Sequence, residues 1–484
     1  MNFDNLLDFE TIKIRELLFL LQSAYAPCSI EQLADKIGVN RKTLMKYIQK
    51  LQKLFDKYNF SDYLEIIKVS RNELYLHREN NIHALKFNVC YLLNTIEIRL
   101  LMFSFEAEVI TFKEMAERLG ISESLLRNRI QKLNDWLQSY ELRLERQSYK
   151  LVGEESQIRE FLFQFNQYFQ NGIGRKEVKL HEDTFLLAES IHNFFELNPN
   201  DIQKNLLLEL VNITVDRVKK GHPMDIQENW NTYIINSPWF TDFLAEMPCE
   251  IVSNGDLAYI FLIVQSKFSF LFSRVQQAKM IQDHFLRKTN SFQNTLLVVR
   301  RINFFFSEEK IKYETPILLS YLSFHLYYEL VQSFGFETVD NTNQLYELYP
   351  KFMNNLEKAV ADIQQKNTFF FNLEKNILVH RYFHILTAII SPLSNENKKY
   401  ICLLTELPPE KEVELEQQLK NFFYNKINLK VVYGRNSQSL LYADVLLVSR
   451  RGQKIIEEIS QPALLIEDTQ LKLEELLEIE KILK

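Results

Sequence analysis

Six basic residues, Arg41, Lys42, Lys46, Lys50, Lys53 and Lys57, fall between Arg41 and Phe60 with a single acidic residue, Asp56, among them. That is a local net charge of +5 in a chain whose formal net charge is −6. Cations recurring every three or four residues suit one chemistry above others: neutralising a row of phosphates while a helix tip meets base edges. Eighty-two positions later, Ser124, Arg127 and Asn128 occupy the matching face. Arginine suits a guanine edge there and asparagine an adenine edge. The bland alternative is a solvated basic face on an ordinary helix hairpin.

Other chemistries find less support. Glycine is scarce, 10 in 484 residues, and neither GxGxxG nor GxxxxGK[ST] occurs, so no phosphate-cradling loop is expected. The close pair Gly172 and Gly174 in "QNGIGRKE" reads as a linker. Cys28, Cys90, Cys249 and Cys402 are far apart with no CxxC, which argues against a zinc ribbon or a disulfide framework. His380 and His384 share a helix face, yet no third ligand is apparent, and no metal or cofactor is expected. No Ser/His/Asp or Cys/His arrangement stands out, so no catalytic residue is assigned and the chain is not expected to be an enzyme. The opening "MNFDNLLDFE" is acidic where a signal peptide would be basic. The longest strongly apolar stretch, Leu257–Val264, is far shorter than the ~20 residues that span a bilayer. A cytoplasmic protein with no membrane partner is expected.

The basic residues need an element to hold them. "SIEQLADKIGVNRKTLMKYIQKLQ" (29–52) and "TFKEMAERLGISESLLRNRIQKLN" (111–134) align at seven of 24 positions. Ser29 with Gln32, and Thr111 with Glu114, have the spacing of a capping box. A short helix follows, its small Ala34 or Ala116 allowing a second helix to cross closely. Gly38 and Gly120 fall where the helix must end with a positive φ. Asn40 and Ser122 then cap a second helix. Helix, glycine turn and capped helix is the helix-turn-helix pattern. In the first copy Leu44, Ile48, Leu51 and Phe55 form the inward stripe. Asn40, Arg41, Lys42, Thr43, Met45, Lys46, Gln49 and Lys50 are the candidate DNA contacts; in the second copy they are Ser122, Ser124, Arg127, Asn128 and Lys132. Alternating stretches after each copy, "YLEIIKVSRNELYLHR" and "LRLERQSYKLVG", predict β-hairpins broken at Ser70-Arg71-Asn72 and Gln147-Ser148. Arg71, Arg78, Arg143, Arg146 and Lys150 could reach phosphate from such wings.

From Lys176 to about Pro392, apolar residues recur at helical spacing, punctuated by Asn198-Pro199-Asn200 and Ser253-Asn254-Gly255. Two bundles are expected, one with a helix ending at Gly221 and the other with a helix ending at Gly335. After that "KYICLLTEL", "NLKVVYG", "ADVLLVSR" and "PALLIED" read as short buried strands alternating with helices, a small parallel α/β domain.

This layout resembles the Mga/AtxA family of Gram-positive transcription regulators. The resemblance rests on the two helix-turn-helix stretches and on "LVNITVDRVKKG" and "GDLAYIFLIVQS", which are similar to pieces of phosphotransferase regulatory domains (PRDs). It implies a multidomain, mainly α protein. Its parts would be winged helix-turn-helix units at 1–80 and 81–171, PRD-like bundles at 172–288 and 289–394, and an enzyme IIB-like α/β domain at 395–484. It further implies a cytoplasmic DNA-binding regulator, an activator, working as a homodimer or higher oligomer. Regulatory phosphorylation by phosphotransferase phosphocarrier proteins would fall on His222, His325 or His384. Two positions depart from the family pattern. Seven residues before Arg217 stands Leu210 rather than histidine, and the place after the "YI-x-L" piece is Ile263. Cys402 lies inside its strand, with Thr405-Glu406 in the loop where a reactive cysteine would sit, so a scaffold role is expected for that domain. An RNA-binding antiterminator and an enzyme with accessory helix-turn-helix units are the rival readings. A major groove too narrow for a helix in A-form RNA weighs against the first.

Overall fold

A computed structural model describes residues 3–24, 26–105, 111–146, 148–170, 180–248, 250–306, 315–331, 334, 342–435, 437–452, 461–466 and 470–483. Gly172, Gly174, Gly335, Gln147 and Cys249 lie outside the described residues. The chain forms two compact units: Met1–Thr295 with Glu314–Thr338, and Leu296–Tyr313 with Val339–Lys484. Among the described residues, helix dominates, as a chain poor in glycine allows.

The first unit opens with α1 (Phe9–Ser23), β1 (Cys28–Ser29), α2 (Ile30–Ile37), α3 (Arg41–Lys57), β2 (Leu64–Lys68), β3 (Glu73–Arg78) and α4 (Asn81–Leu93). The strands form an antiparallel sheet in the order β1-β3-β2, with Ser29 opposite Glu73 and Leu64 opposite Arg78. Their core joins Ile14, Leu17, Leu18 and Leu21 of α1 to Leu33 and Ile37 of α2 and Leu44, Ile48, Leu51 and Phe55 of α3. The hairpin adds Leu64, Ile66, Leu74 and Leu76, and α4 adds Phe87, whose ring meets Phe55 edge-on at 4.7 Å.

A second set follows: α5 (Ile96–Phe103), α6 (Phe112–Leu119), α7 (Glu123–Leu137), β4 (Arg143–Leu144), β5 (Leu151–Val152) and α8 (Glu155–Gln170). Its antiparallel pair is only two residues deep, with Arg143 opposite Val152. The hairpin expected after this copy is this short ladder. Further backbone contacts adjoin it: Tyr149 N–H donates to the Glu145 carbonyl and Leu151 N–H to that of Ser104.

The rest of the unit is helical: α9 (Glu182–Phe194), α10 (Asp201–Lys219), α11 (Asn231–Ile234), α12 (Pro238–Glu246), α13 (Asn254–Phe268), α14 (Arg274–Arg287), the start of α15 (Asn290–Phe305) and α16 (Thr315–Leu330). α13 and α16 are buried over most of their circumference, as helices apolar on every side must be. They meet where Ser323 Oγ donates to the Gln265 carbonyl at 3.1 Å. So α16, placed by sequence in the second bundle, packs with helices of the first.

The second unit takes the end of α15, then α17 (Thr342–Leu348), α18 (Pro350–Lys366), α19 (Thr368–Phe371) and α20 (Lys375–Thr387). α18 buries Phe352, Leu356, Val360 and Ile363 along one stripe. Beyond it come β6 (Lys399–Leu404), α21 (Pro409–Phe423), β7 (Leu429–Tyr433), α22 (Ser437–Leu441), β8 (Val445–Ser449), β9 (Ala463–Ile466) and α23 (Leu473–Leu483). The four strands are parallel in the order β7-β6-β8-β9. This is the small parallel α/β arrangement expected from the sequence.

Candidate nucleic-acid interface

The turn between α2 and α3 is set by Gly38, at φ 74° and ψ 38°. Its N–H reaches the Ala34 and Asp35 carbonyls, and Val39 N–H returns to Ala34 at 3.0 Å. This left-handed cap satisfies the last carbonyls of α2. Gly120 repeats it at φ 69° and ψ 35°, with Ile121 N–H on the Ala116 carbonyl at 3.0 Å. Asn40 Oδ1 then accepts from Thr43 N–H at 2.8 Å, and Ser122 Oγ from Leu125 N–H at 3.2 Å. The two repeats thus share their backbone joint.

Their entry caps differ. Thr111 and Glu114 form the full capping box. Ser29 does not: its side chain makes no cap bond. Ser29 belongs to β1, and the next amide, Ile30 N–H, donates to the Asn72 carbonyl of the hairpin at 2.8 Å. A neighbouring strand has taken over the work of the cap.

On α3, Arg41, Lys42, Lys46, Gln49, Lys53 and Lys57 are exposed, and no acidic residue stands in the first turn. The positive end of the helix dipole therefore adds to the side-chain charge. Among the described residues Lys42 and Lys53 have no ion-pair partner. Arg41 is tethered: its guanidinium donates to Asn72 Oδ1 at 2.8 Å and to the Arg71 carbonyl at 3.4 Å, and lies 3.5 Å from Glu31. That ties the helix tip to the hairpin turn, where Arg71 is itself exposed. Met45 and Thr43 are half-buried, Met45 packing on the core.

Some of the basic residues expected to meet DNA also have partners within the fold. Lys50 Nζ is 2.7 Å from Glu10 of α1, and Lys46 is 3.8 Å from the same carboxylate. Its counterpart Lys132 donates to the Leu7 carbonyl at 2.8 Å. Both lysines turn toward the N-terminal segment, a contact forty or more residues away that local spacing could not reveal. Arg78 donates to the Gln22 carbonyl. One residue before each of these lysines, Gln49 and Gln131 remain exposed.

On α7, Glu123, Ser124, Arg127 and Asn128 are exposed, with Ser122 beside them. Glu123 stands in the first turn, where its charge opposes an incoming phosphate. The Arg127 guanidinium lies 5.9 Å from the centre of the Phe112 ring. Arg129 points inward to Glu97 at 2.5 Å, and burial pushes that carboxyl above its ordinary pKa. Arg146 and Arg143 are exposed on the short hairpin.

Residues 80–166, from the start of α4 into α8, match the model of the Mga helix-turn-helix domain. The chain carries a Mga helix-turn-helix domain. That class of domain points to a DNA-binding transcription regulator. The Mga domain holds the second repeat; the first repeat precedes it and lies outside the match. The curated proteins contain no match to the chain.

Outside the Mga domain, the histidines divide by access. His325 is fully buried, with Nδ1 2.8 Å from Thr295 Oγ1. His284 is equally sealed between Thr289 and Gln265. Burial lowers both to about 3. No phosphocarrier can reach His325 in this structure. His222 and His384 are exposed, and each is held below its ordinary pKa, first by partial burial and then by the nearby Arg217 or Arg381. His380 and His384 lie with their Nε2 atoms 3.2 Å apart. No group of three or more His, Cys, Asp or Glu side chains suited to a metal occurs among the described residues. Cys402 is buried within β6, and burial raises its thiol to about 11, so the nucleophilic thiolate is disfavoured. No described helix is long and apolar enough to cross a membrane.

Proposed function

We propose that the protein is a Mga-type transcription activator that grips double-stranded DNA chiefly through α3. The observation that carries this reading is an α3 whose apolar stripe is buried, whose N-terminal tip is capped and acid-free, and along which Arg41, Lys42, Lys46, Gln49 and Lys53 face solvent. In this reading Lys42, Lys46 and Lys53 neutralise phosphates, and Asn40, Arg41, Thr43, Met45 and Gln49 stand at or beside the base edges. The β2–β3 hairpin acts as a wing, with Arg71 toward the backbone. The Mga domain adds a weaker grip through Ser122, Ser124, Arg127, Asn128 and Arg146. Lys50 and Lys132 act by fixing the two helices to the N-terminal segment.

The protein works as a homodimer or larger assembly, so that two DNA sites are held at raised effective concentration. The PRD-like helices and the IIB-like α/β part set that assembly. His222 and His384, whose imidazoles are neutral at pH 7, present the lone pair that a phosphocarrier needs.

Band-shift titration over a salt series tests the DNA reading. Several phosphate contacts require log K to fall with log salt by about 0.9 per contact. A flat salt response would refute it. Incubation with phosphotransferase carriers and labelled phosphoenolpyruvate tests the histidine reading, which fails if the protein takes no label.

A further inference from the structure

A cavity of about 270 Å³ lies inside the first unit, where the Mga domain meets the helices that follow it. Phe105, just after α5, and Leu151 of β5 line it together with residues of α8 and α10. Its polar lining is rich in donors. Arg217 and Lys220 are the cations. The Arg217 guanidinium spends Nε and Nη2 on the Glu155 carboxylate, at 2.9 and 2.7 Å, leaving Nη1. Lys220 pairs with Asp216 at 2.8 Å but is more than a third exposed. The side chains of Asn166 and His181, both half-buried, have no hydrogen-bond partner among the described residues. Asn212 uses only its carbonyl oxygen, accepting from Thr184 at 3.2 Å. The amide nitrogens of both asparagines, Arg217 Nη1 and two ammonium hydrogens of Lys220 are left to seek acceptors.

Water alone can satisfy such donors at an open surface. Here they line one pocket together with Phe105, Leu151 and Leu162, the mixed lining of a small-molecule site. At about 30 Å³ per water, the volume holds roughly nine water-sized groups. An acceptor-rich head on a short carbon body fits such a mixed lining. We propose that this cavity binds a small organic anion, a carboxylate or phosphate monoester, with its charged head on Arg217, Lys220 and Asn212 and its body against Phe105 and Leu151. Arg217 is already oriented by Glu155, which is itself held by Arg159 at 2.9 Å, and Arg159 pairs with buried Asp256 at 2.6 Å. The head therefore meets a guanidinium whose plane is fixed in advance. A ligand so placed touches the Mga domain and α10 together.

Calorimetric titration of the full chain tests this at constant ionic strength. The probes are inorganic phosphate, glycerol 3-phosphate, a hexose 6-phosphate, citrate, benzoate and uncharged glucose. The expected result is one-site, saturable binding of at least one organic anion, with none for glucose. Lys220→Glu and Asn212→Leu should each weaken it about tenfold, the worth of one charge-assisted contact or slightly less. Lys204→Glu, the same charge change on exposed α10 surface outside the cavity, should leave it unchanged. Circular dichroism verifies that the variants fold. The proposal is overturned if no organic anion binds at millimolar concentration. Equal binding by wild type and Lys220→Glu, or inorganic phosphate binding as tightly as every organic anion, also overturns it. Heat reports binding directly, so the outcome does not depend on which helix contacts DNA.

Discussion

The two helix-turn-helix repeats share a joint and differ in charge. Gly38 and Gly120 adopt the same left-handed cap, and Asn40 and Ser122 the same N-cap. Position by position, however, Arg41 faces Glu123, Lys42 faces Ser124, and Lys46 faces Asn128. α3 carries six basic residues and one acidic, whereas α7 carries three and two. Of the three cations on α7, Arg129 is paired with Glu97 and Lys132 with a carbonyl. Backbone geometry makes a helix presentable; the outward side chains decide what it is presented to. The same joint can therefore support a strong grip in one repeat and a light one in the other.

The widest separation between the repeats should come from removing their outward faces. Arg41→Ala, Lys42→Ala and Lys46→Ala combined should weaken DNA binding by about 100-fold or more at low salt, because several phosphate contacts vanish together. Arg127→Ala with Asn128→Ala should cost about tenfold or less, within one or two base contacts. Equal losses in band-shift assays would break the asymmetry.

Acid can blur that comparison, and the buried histidines say where. His284 and His325 have folded pKa values near 3, lowered by burial, while the unfolded chain titrates near 6.5. Between those values the unfolded state binds more protons, so stability is full above about pH 6.5 and falls as pH drops, by about 1.4 kcal/mol per pH unit for each histidine. Chemical denaturation across this range should show that slope. His325→Phe should remove about half of that slope, His284 supplying the rest, and a profile unaltered by that change would contradict the assignment.

The shared joint predicts equal sensitivity. An added Cβ at Gly38 or Gly120 meets nothing within 4 Å, so only the positive φ is strained, at about 1–2 kcal/mol. Gly38→Ala and Gly120→Ala should destabilise alike by that amount in denaturant titrations. The entry caps predict inequality. Thr111→Ala should cost about 1 kcal/mol, while Ser29→Ala, with no cap bond to lose, should cost far less. The smallest effect is a gain: Glu123→Gln should tighten DNA binding about two- to threefold at low salt by removing one unfavourable charge at a helix N-terminus.

Both repeats were legible in the sequence because their signals are local. A cap, a glycine, a second cap and an apolar stripe fall within 24 residues. The parallel α/β end was legible for the same reason, its strands being short apolar runs between helices. What escaped depends on distant partners. α1 supplies a fifth of the buried residues of the first core, and its Glu10 claims Lys50, forty positions away. Ser29 looked like half of a capping box until a strand from beyond α3 took its place. α16 carries no periodic signal that names its neighbours, since it is apolar all round, and only packing places it on α13. The cavity beside Arg217 was invisible for a related reason: its wall comes from segments more than a hundred residues apart.

The central claim is that α3 lies against DNA bases. A photo-crosslinking amino acid placed at Gln49, which is exposed on α3, measures this with little perturbation, and the same probe at Asn128 reports on α7. The account predicts efficient crosslinking to duplex DNA from position 49 and weaker crosslinking from 128. Retained DNA binding with crosslinks from 128 alone, or from neither, would contradict it.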